Sequence, residues 1–445
     1  MLSIYRTDFR ANLRLAWPII LGQLGQISVN IIDNLMVGDL GAEALAAVSL
    51  GISIFVIFLV VGMGISMALQ PLVAESDGMG DSQGASFSFK HSLVINIIFA
   101  LLSILLIESF IPFMDRLGQD PGVVDLAIPY LRVCSWSMVP MMIFQGFRGL
   151  SEGLSETTAP MVAILFGNVL NVLANYMLIY GNWGAPALGV EGAAFGTLFG
   201  RTGMMLLLIF FMRYWKTGGH NHLWSYLVRI DPFKFSKWFF KKVLRLGVPT
   251  SLQMLFEVGA FAAAALMMGM IGAPEQAAHQ ITINAVSATF MVCVGISVAA
   301  TVRVGNALGR GDGLGKRRAG IAAILQVVLF MTLAAVLIGW ARYFIPALYI
   351  DDARVIEIAA DLFLIAAIFQ ISDGVQVAAI GALRGLQDIW WPTAITFFSY
   401  LCIGLPFSWY SAFELDWGYQ GIWIGLLIGL SLSAILNTMR FMRLT

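Results

Sequence analysis

Long apolar runs separated by short polar segments dominate the chain. A membrane-spanning helix needs about 20 predominantly apolar residues, and twelve runs meet that length. The runs lack the apolar–polar alternation of barrel strands, and lipid offers no partner for the open backbone groups of a lone strand. The pattern therefore predicts an all-α integral membrane protein with twelve transmembrane helices. These cover approximately residues 15–37, 44–73, 91–113, 126–150, 158–180, 188–212, 243–271, 278–306, 319–345, 356–384, 392–413 and 418–439.

The composition excludes a soluble enzyme. Of the 445 residues, 59% are hydrophobic and 12% are charged, whereas soluble domains carry about 25% charged residues. Basic and acidic residues balance at 26 each, so the chain lacks the basic field that nucleic acid binding requires. The sequence contains no phosphate-binding loop and no serine-hydrolase or zinc-protease motif. We therefore expect no catalysis, no bound cofactor and no nucleic acid partner.

The two halves of the chain resemble each other. A polar connector, residues 214–242, separates an N-terminal part, 1–213, from a C-terminal part, 243–445, and each part contains six predicted spans. An even number of spans returns each half to the same side of the membrane, which predicts a parallel duplication of two pseudo-symmetric six-helix bundles. Three motifs recur in the second half with one constant offset along the chain: Leu15 and Pro18 against Leu246 and Pro249, Gly64-Ile65-Ser66 against Gly295-Ile296-Ser297, and Gly78, Gly80 and Asp81 against Gly309, Gly311 and Asp312.

Lysine and arginine concentrate on one side of this predicted topology. With both termini inside, 21 of the 26 basic residues fall in inside segments, and the outside loops are acidic. Cytoplasmic loops carry this excess of positive charge. The distribution therefore predicts a plasma (inner) membrane protein with both termini in the cytoplasm. His220 and His222 lie in the connector, where we expect them to be solvated.

Three acidic residues lie well within predicted spans: Asp33 in span 1, Glu257 in span 7 and Asp373 in span 10. A charge at this depth costs about 2.5–3.5 kcal/mol or more, which makes each acid a functional candidate. The duplication does not repeat them, since Asp33 aligns with Ala264 and Glu257 aligns with Gln26. We therefore expect the halves to share a scaffold and to differ in chemistry.

Amide and hydroxyl residues form polar stripes near these acids. Because lipid cannot satisfy such groups, each stripe must face the bundle interior or water. At about 1.5 Å per residue, Asp33 and Asn175 lie about 22 Å from the inner membrane surface and Thr197 about 18 Å, which predicts one oxygen cluster. Asn171 belongs to the stripe of Asn175. The other polar positions predict the wall of a substrate cavity: Gln26, Asn30, Gln253, Gln280, Asn284 and Gln376.

A second site is predicted in the C-terminal half, where Glu257 and Asp373 lie about 12 and 17 Å from the inner surface. Carboxylate and amide oxygens suit a hard cation such as Na⁺, and a buried carboxylate also suits H⁺, so the residues leave both ions open. Polar side chains in spans have simpler roles as well. Amides often only link neighbouring helices, which is the alternative for Asn30, Asn168, Gln253, Gln280 and Gln376.

Three arginines have structural interpretations. Arg201, in span 6, is expected either to pair with an acid or to extend toward the membrane surface. Arg148 and Arg384 occupy equivalent inner ends of the two halves, where each is followed by glycine and leucine. We interpret that pair as anchors of the repeat at the cytoplasmic surface.

Short motifs follow one another in a characteristic order along nearly the whole chain. They include Trp17-Pro18, Asp33-Asn34-Leu35-Met36-Val37-Gly38, Arg148-Gly149-Leu150, Gly189-Val190-Glu191-Gly192, Val248-Pro249, Gly272-Ala273-Pro274-Glu275-Gln276 and Arg384-Gly385-Leu386-Gln387-Asp388. Each motif is short, but the ordered set resembles the multidrug and toxic compound extrusion (MATE) transporters. The resemblance implies the fold of that superfamily, with two six-helix lobes around a central cleft, and a cation-coupled antiporter.

The chain is similar to the NorM-type branch of that family, because Glu257 and Asp373 stand where the branch has acids in spans 7 and 10. Two positions depart from the pattern of relatives. Phe369 replaces a tyrosine that some relatives have near the cation site, and position 175 is Asn where the DinF-type branch has an acid. The resemblance also implies a cation site in the N-terminal lobe, formed by Asp33, Asn171, Asn175 and Thr197.

Three functions remain open at this point. The first is a secondary exporter of amphipathic, often cationic drugs, driven by inward Na⁺ or H⁺ through alternating access. The second is a flippase of lipid-linked precursors from the same superfamily, for which Arg201 is a candidate cationic residue. The third is a channel or a receptor-like membrane protein, which the unequal acids of the halves disfavour. For the exporter we expect small-molecule drugs, a monovalent cation and the lipid bilayer as partners, and a monomer.

Overall fold

The computed structural model describes residues 5–214, 223–228 and 235–445. Most of these residues are helical, and the described part of the chain contains no β-strand. The prediction of an all-α fold is confirmed. Residues 215–222 and 229–234 of the predicted connector, with His220 and His222 among them, lie outside the described residues.

The described residues form seventeen α-helices, numbered in chain order. They are α1 Arg6–Gly38, α2 Ala42–Ser66, α3 Leu69–Met79, α4 Ser82–Phe110, α5 Pro121–Trp136, α6 Met138–Gly153, α7 Thr158–Tyr180, α8 Val190–Tyr214, α9 Ser225–Val228, α10 Lys237–Ile271, α11 Ala273–Gly309, α12 Gly313–Trp340, α13 Phe344–Ala347, α14 Ala353–Gly385, α15 Trp390–Phe397, α16 Leu405–Phe413 and α17 Gly418–Leu444. Two 3₁₀-helices, Ile111–Leu117 and Asn182–Gly184, and one π-helix, Phe398–Gly404, connect some of them.

Eleven of the twelve predicted spans correspond to helical stretches that are long and apolar enough to cross a membrane, counted within the described residues. Several of these stretches join two shorter helices, as α2 and α3 do in Ala42–Met79. The remaining predicted span, 392–413, is helical but divided, because the π-helix separates α15 from α16. Wider π turns of this kind interrupt the regular hydrogen-bond ladder and occur frequently at functional sites.

The glycine–aspartate motif of each half forms the same turn. Gly80 and Gly311 adopt φ values of 72° and 69°, in the left-handed region that glycine tolerates without strain. Asp81 Oδ1 then accepts a hydrogen bond from the Gly84 amide at 2.9 Å, and Asp312 caps α12 in the same way. These caps satisfy backbone donors at the starts of α4 and α12. The repeated motif therefore sets the direction in which each helix leaves the turn.

The chain forms two compact units, each with its own apolar core. The N-terminal unit comprises Leu21–Ser251, and the C-terminal unit comprises Met1–Ile20 together with Leu252–Thr445. Two long helices belong to both units, because α1 changes unit after Ile20 and α10 changes unit after Ser251. Ile20 and Ser251 are related by the same offset as the repeated motifs, so the two unit boundaries fall at equivalent positions of the duplication.

A glycine in each unit admits close packing of one of these two helices. In the N-terminal unit, a Cβ atom added to Gly64 would lie 2.5 Å from the Cα atom of Ser251. In the C-terminal unit, a Cβ atom added to Gly295 would lie 2.5 Å from Cγ1 of Ile20. Both glycines belong to the repeated Gly-Ile-Ser motif. The motif therefore marks a close helix contact in equivalent places of the two units.

The first half of α1 is held in the C-terminal unit by a polar network. The guanidinium of Arg303 lies 2.6 Å from Asp8 Oδ1 and also donates to Asn12 Oδ1 at 2.6 Å. Asn12 in turn donates to Gln326 at 2.8 Å. Because Asn12 is fully buried, losing either partner would leave a buried polar group unsatisfied, at a cost of about 1–3 kcal/mol.

The first half of α10 is held in the N-terminal unit by different groups. Lys242 lies 3.0 Å from Glu75, and the backbone amide of Ser236 donates to Nε2 of buried His91 at 3.0 Å. The His91 ring also packs against Phe235 and Phe239. Both pseudo-equivalent helix segments are thus held by a salt bridge, with amide hydrogen bonds added in the C-terminal unit and aromatic packing added in the N-terminal unit.

Candidate cation and drug site

A cavity of about 340 Å³ opens within the N-terminal unit. Its wall comes from α1, α2, α5, α7 and α8. Apolar groups such as Ile52, Phe55 and Met204 alternate with polar ones, as in pockets that bind drug-sized molecules. The polar residues on the wall are Gln26, Asn30, Asp33, Asn34, Tyr130, Asn168, Asn171, Thr197 and Arg201.

Asp33 and Asn171 lie on the polar wall, and buried Asn175 of α7 links them. The amide nitrogen of Asn175 donates to Asp33 Oδ1 at 2.6 Å and lies 3.5 Å from Asn171 Oδ1. Asn175 is fully buried, and its own carbonyl oxygen, Oδ1, has no hydrogen-bond partner. An unsatisfied buried oxygen beside a carboxylate costs free energy, and a bound cation would remove that cost.

Glycines on α8 make room for these asparagines. A Cβ atom added to Gly196 would overlap Asn175 Oδ1, and one added to Gly200 would lie 2.8 Å from Asn171 Cβ. Small residues allow membrane helices to approach closely. The sequence of α8 therefore places the α7 amides directly against the neighbouring helix and orients them toward Asp33.

Thr197 completes the predicted N-terminal cluster as part of the same cavity wall. Its hydroxyl donates to the Ala193 carbonyl at 3.2 Å, which leaves oxygen lone pairs available as acceptors. Gln26 and Asn30, two turns and one turn before Asp33 on α1, also line the cavity. Carboxylate, amide and hydroxyl oxygens are the ligands that hard cations prefer.

Arg201 lies on this wall too, where it contacts Ser137 and Phe55. Its guanidinium donates to the Ser137 hydroxyl at 2.6 Å and stacks over the Phe55 ring at 4.9 Å. Asp33 exerts a Coulomb attraction on it. However, no salt bridge of Arg201 occurs among the described residues. The cavity therefore contains separated positive and negative side chains.

Glu257 and Asp373 belong to the C-terminal unit, where they interact electrostatically with each other. Asp373 is buried, and its Oδ1 has no hydrogen-bond partner. Buried Gln376 accepts a hydrogen bond from the Tyr400 hydroxyl at 3.0 Å, next to the π-helix backbone. Two carboxylates near unsatisfied polar groups form a second candidate site of a different kind, since the N-terminal cavity has a single acid on its wall.

The other predicted cavity residues belong to the C-terminal unit. Gln253 is buried in the C-terminal unit, and its Oε1 has no partner. Gln280 and Asn284 lie on an exposed face of α11, where Gln280 donates to Asn284 at 3.0 Å. Within the N-terminal unit, the structure therefore brings Gln26 and Asn30 together with Asp33 on one cavity wall.

The arginines at equivalent positions of the two halves have different partners. Arg148 lies 2.6 Å from Glu152, and Gln70 donates to the other oxygen of that carboxylate. Arg384 is buried and interacts electrostatically with Glu257, but its Nε has no hydrogen-bond partner. In the C-terminal unit this arginine therefore belongs to the environment of the acids.

Several residues of the two sites carried no sequence signal strong enough to single them out. Tyr130 and Cys134 are one helical turn apart on α5 and line the N-terminal cavity. Ser137 and Phe55 contact Arg201 only in the folded structure, and nothing in the sequence distinguishes them from other residues of the predicted spans. Tyr400 lies in a continuous apolar run, so its sequence position does not predict the hydrogen bond to Gln376.

Paired helical units that share a duplicated scaffold, with ionisable groups inside the spans, define an integral membrane transporter. The profile of the MatE family matches residues 18–177 and again residues 249–410, and together these segments cover more than half of the chain. The chain belongs to the MatE family. The two matches begin at Pro18 and Pro249, which are equivalent prolines of the repeat, and this confirms the internal duplication.

Curated relatives extend over almost the full length. The chain is 36% identical to a probable multidrug resistance protein NorM of Agrobacterium fabrum, covering 98% of this chain and 94% of the relative. It is 34% identical to the multidrug resistance protein MdtK of Edwardsiella ictaluri, covering 98% and 95%. These relatives confirm the resemblance to multidrug transporters.

Solved structures share the fold. A multidrug resistance MATE transporter in an outward-facing conformation superposes with a TM-score of 0.89 at 21% identity, covering 98% of this chain and 95% of the other. A MOP superfamily transporter of Pyrococcus furiosus, described as having a binding pocket of reversed polarity, gives a TM-score of 0.87 at 22% identity, with the same coverage. The MATE/MOP-type fold is therefore confirmed.

Proposed function

We propose that this protein is a secondary active antiporter that exports amphipathic, often cationic compounds in exchange for Na⁺ or H⁺. The observation that carries the proposal is the Asp33 carboxylate, placed on the wall of an otherwise mainly apolar cavity and hydrogen-bonded to Asn175 at 2.6 Å. Apolar walls suit the body of a drug, and the carboxylate with its neighbouring oxygens suits a cation. The relatives named as multidrug resistance proteins support the same function.

Coupling follows from competition for the same groups. A cation that binds Asp33, Asn171, Asn175 and Thr197 on the outside neutralises the cavity and lowers its affinity for a cationic drug. By linkage, the drug lowers the affinity for the cation to the same extent. Exchange then requires that the cavity be accessible from one side of the membrane at a time, with each ligand shifting the populations of the two states.

Glu257 and Asp373 are proposed to take up a coupling cation in the C-terminal unit. The buried, unsatisfied oxygen of Asp373 and its electrostatic interaction with Glu257 support this role. Binding one positive charge between two carboxylates relieves their mutual repulsion. We further propose an inner membrane location with both termini in the cytoplasm, as the distribution of lysine and arginine favours, and a monomeric protein.

Efflux from proteoliposomes tests the proposed function. Purified protein is reconstituted, a fluorescent cationic dye is loaded, and Na⁺ and H⁺ gradients are imposed separately. We expect dye movement against its own gradient under at least one of the two, and that gradient identifies the coupling ion. Folded protein that moves no dye under either gradient would contradict the antiporter.

A flippase of lipid-linked precursors is the second candidate, and Arg201 is the observation that favours it. A cationic group on a cavity wall suits a phosphate-bearing headgroup. The same proteoliposomes can be prepared with a fluorescent lipid whose headgroup is accessible to a quencher. Protein-dependent exposure of the inner-leaflet lipid, without dye efflux, would favour the flippase over the antiporter.

A further inference from the structure

Arg201 introduces a positive charge into a span without a partner acid. No carboxylate lies within salt-bridge distance of it in the part of the chain that the structure describes. An arginine inside the membrane is costly, and such residues usually pair or serve a function. The fold keeps this one on the wall of the N-terminal cavity.

The guanidinium has a defined orientation. The Ser137 hydroxyl donates to the Cys134 carbonyl at 2.6 Å and accepts from Arg201 at 2.6 Å. The Phe55 ring supports the guanidinium carbon at 4.9 Å. Ser137 is its hydrogen-bond partner among the described residues, so several N–H donors of the planar group stay available.

The repeat shows that this position does not need a charge for helix packing. Gly189 and Gly192 are equivalent to Gly418 and Gly421, one glycine pair in each half. Leu430 follows Gly421 at the same spacing as Arg201 follows Gly192, so Leu430 is the counterpart of Arg201. Leu430 is fully buried in the C-terminal unit. An apolar side chain at this position is therefore compatible with the packing of the repeat. Because packing does not require a charge here, Arg201 points to a role in the cavity.

The cavity has room for a ligand between two opposite charges. Asp33 and Arg201 line the same wall and attract each other without direct contact. The volume of about 340 Å³ lies in the range of pockets that hold small organic molecules. A ligand with one cationic and one anionic group could satisfy both side chains and bury its apolar body against the remaining wall.

We propose that Arg201, held by Ser137 and Phe55, forms an oxyanion subsite that binds the carboxylate of an amphipathic zwitterion. The planar guanidinium offers paired N–H donors that match a carboxylate. The cationic group of the same ligand lies toward Asp33. This inference rests on the proposed function and deepens it by assigning Arg201 as the residue that distinguishes ligands with a carboxylate from purely cationic ones.

Two matched dyes test the subsite. Rhodamine B carries a delocalised cation and a free carboxylate, whereas its ethyl ester retains the cation alone. The affinity of each dye for purified protein in detergent is measured by fluorescence anisotropy. The proteins are the wild type, Arg201→Gln, Arg201→Lys, and the control Arg132→Gln, which alters an exposed arginine paired with Glu108 at 3.0 Å.

The proposal predicts a change for one dye only. Loss of one charge-assisted contact should weaken rhodamine B binding by about tenfold or more in Arg201→Gln, with less than about threefold change for the ester. Arg201→Lys should bind rhodamine B with an affinity between those of the wild type and Arg201→Gln, because lysine keeps the positive charge but lacks the paired N–H donors of a guanidinium. Arg132→Gln should match the wild type for both dyes.

Other results overturn the subsite. Equal losses for both dyes would indicate a structural role, and no loss for either would remove Arg201 from binding. If Arg201→Gln binds the ester more tightly than the wild type does and binds rhodamine B with unchanged affinity, Arg201 acts only as an internal counter-charge for Asp33. If Arg201→Gln fails to fold, the wild type still decides, because a preference for the ester of about tenfold or more contradicts a carboxylate subsite.

Two further arms separate the sources of failure. Short-chain phosphatidylethanolamine is added as a competitor below its micelle concentration, and displacement of rhodamine B would assign the subsite to a lipid headgroup and overturn the drug carboxylate. Gradient-driven export of the ester is measured in proteoliposomes of the wild type. Because the ester has no carboxylate, its export tests the antiporter independently, while the ratio of the two dye affinities tests Arg201.

Discussion

Asn175 is the side chain through which the N-terminal oxygen cluster is connected. It donates to Asp33, lies next to Asn171, and is kept in place by the absence of a side chain at Gly196. Its unsatisfied carbonyl oxygen gives the cluster an acceptor that carries no charge. An amide in this position can hold the carboxylate and also contribute an oxygen to a cation.

Asn175→Ala is expected to weaken cation coupling while leaving the protein folded. Removing a hydrogen bond to a charged group costs about 1.5–3 kcal/mol, which corresponds to roughly 10- to 100-fold in cation affinity. The measurement is the cation concentration that half-saturates dye efflux from proteoliposomes. Asn182→Ala is the matched control, because Asn182 donates to the Tyr176 carbonyl at an exposed site. Equal effects of the two substitutions would contradict the role of Asn175.

At the scale of helices, α1 and α10 each join both compact units, and a glycine of the Gly-Ile-Ser motif meets each of them. The contacts at Gly64 and Gly295 leave no space for a side chain, since the nearest atoms would lie 2.5 Å from a Cβ. Close packing of this kind fixes the separation of the two helices. The repeated motif is thus a structural element of the duplication and belongs to neither candidate site.

Gly295→Val and Gly64→Val are both expected to destabilise the protein. Overpacking a close contact costs about 1–3 kcal/mol, so the temperature of unfolding in detergent should fall for both variants. Gly339→Val is the control, because a Cβ at Gly339, also helical, meets no atom within 4 Å. Intrinsic tryptophan fluorescence reports the transition. If all three variants have the same unfolding temperature, Gly64 and Gly295 are not needed for close packing.

At the scale of the whole molecule, the duplication repeats the scaffold and not the chemistry. The turns at Asp81 and Asp312 have the same geometry in both units, and Gly64 and Gly295 meet residues at equivalent positions of the repeat, Ser251 and Ile20. The acids differ, because the N-terminal cavity wall has one carboxylate and the C-terminal unit has two that interact. The two units therefore share a scaffold and differ in their ionisable groups.

Neutralising any one of the three acids should reduce gradient-driven export. Glu257→Gln and Asp373→Asn remove C-terminal carboxylates, whereas Asp33→Asn removes the acid of the cavity. We expect gradient-driven dye efflux to fall at least tenfold in each variant, on the order of a lost charged interaction. Glu108→Gln, at an exposed salt bridge, is the control. Normal efflux in all three variants would contradict the proposed coupling.

Much of this architecture is predictable from the sequence because lipid makes polar residues conspicuous. Asp33, Asn171 and Thr197 stand out in apolar runs, and helical spacing with depth places them near one another. The duplication is equally visible, since glycine and aspartate recur at the turns where backbone geometry demands them. These features depend on local composition and on spacing along single helices.

The remaining features depend on how helices pack against each other, and spacing along one helix does not encode that. The hydrogen-bond partner of Arg201 is Ser137, which lies between α5 and α6, and spacing along α8 does not reveal it. The exposed positions of Gln280 and Asn284 follow from the rotation of α11. The π-helix at Phe398–Gly404 is hidden because its residues are as apolar as their neighbours.

The most direct test of the central claim is the affinity for a cationic dye as a function of Na⁺ concentration and, separately, of pH. Wild-type protein in detergent is compared with Asp33→Asn by fluorescence anisotropy. The account predicts that dye binding to the wild type weakens as the coupling cation becomes more abundant, and that Asp33→Asn binds dye with little dependence on that cation. The same cation dependence in both proteins would contradict an exchange centred on Asp33.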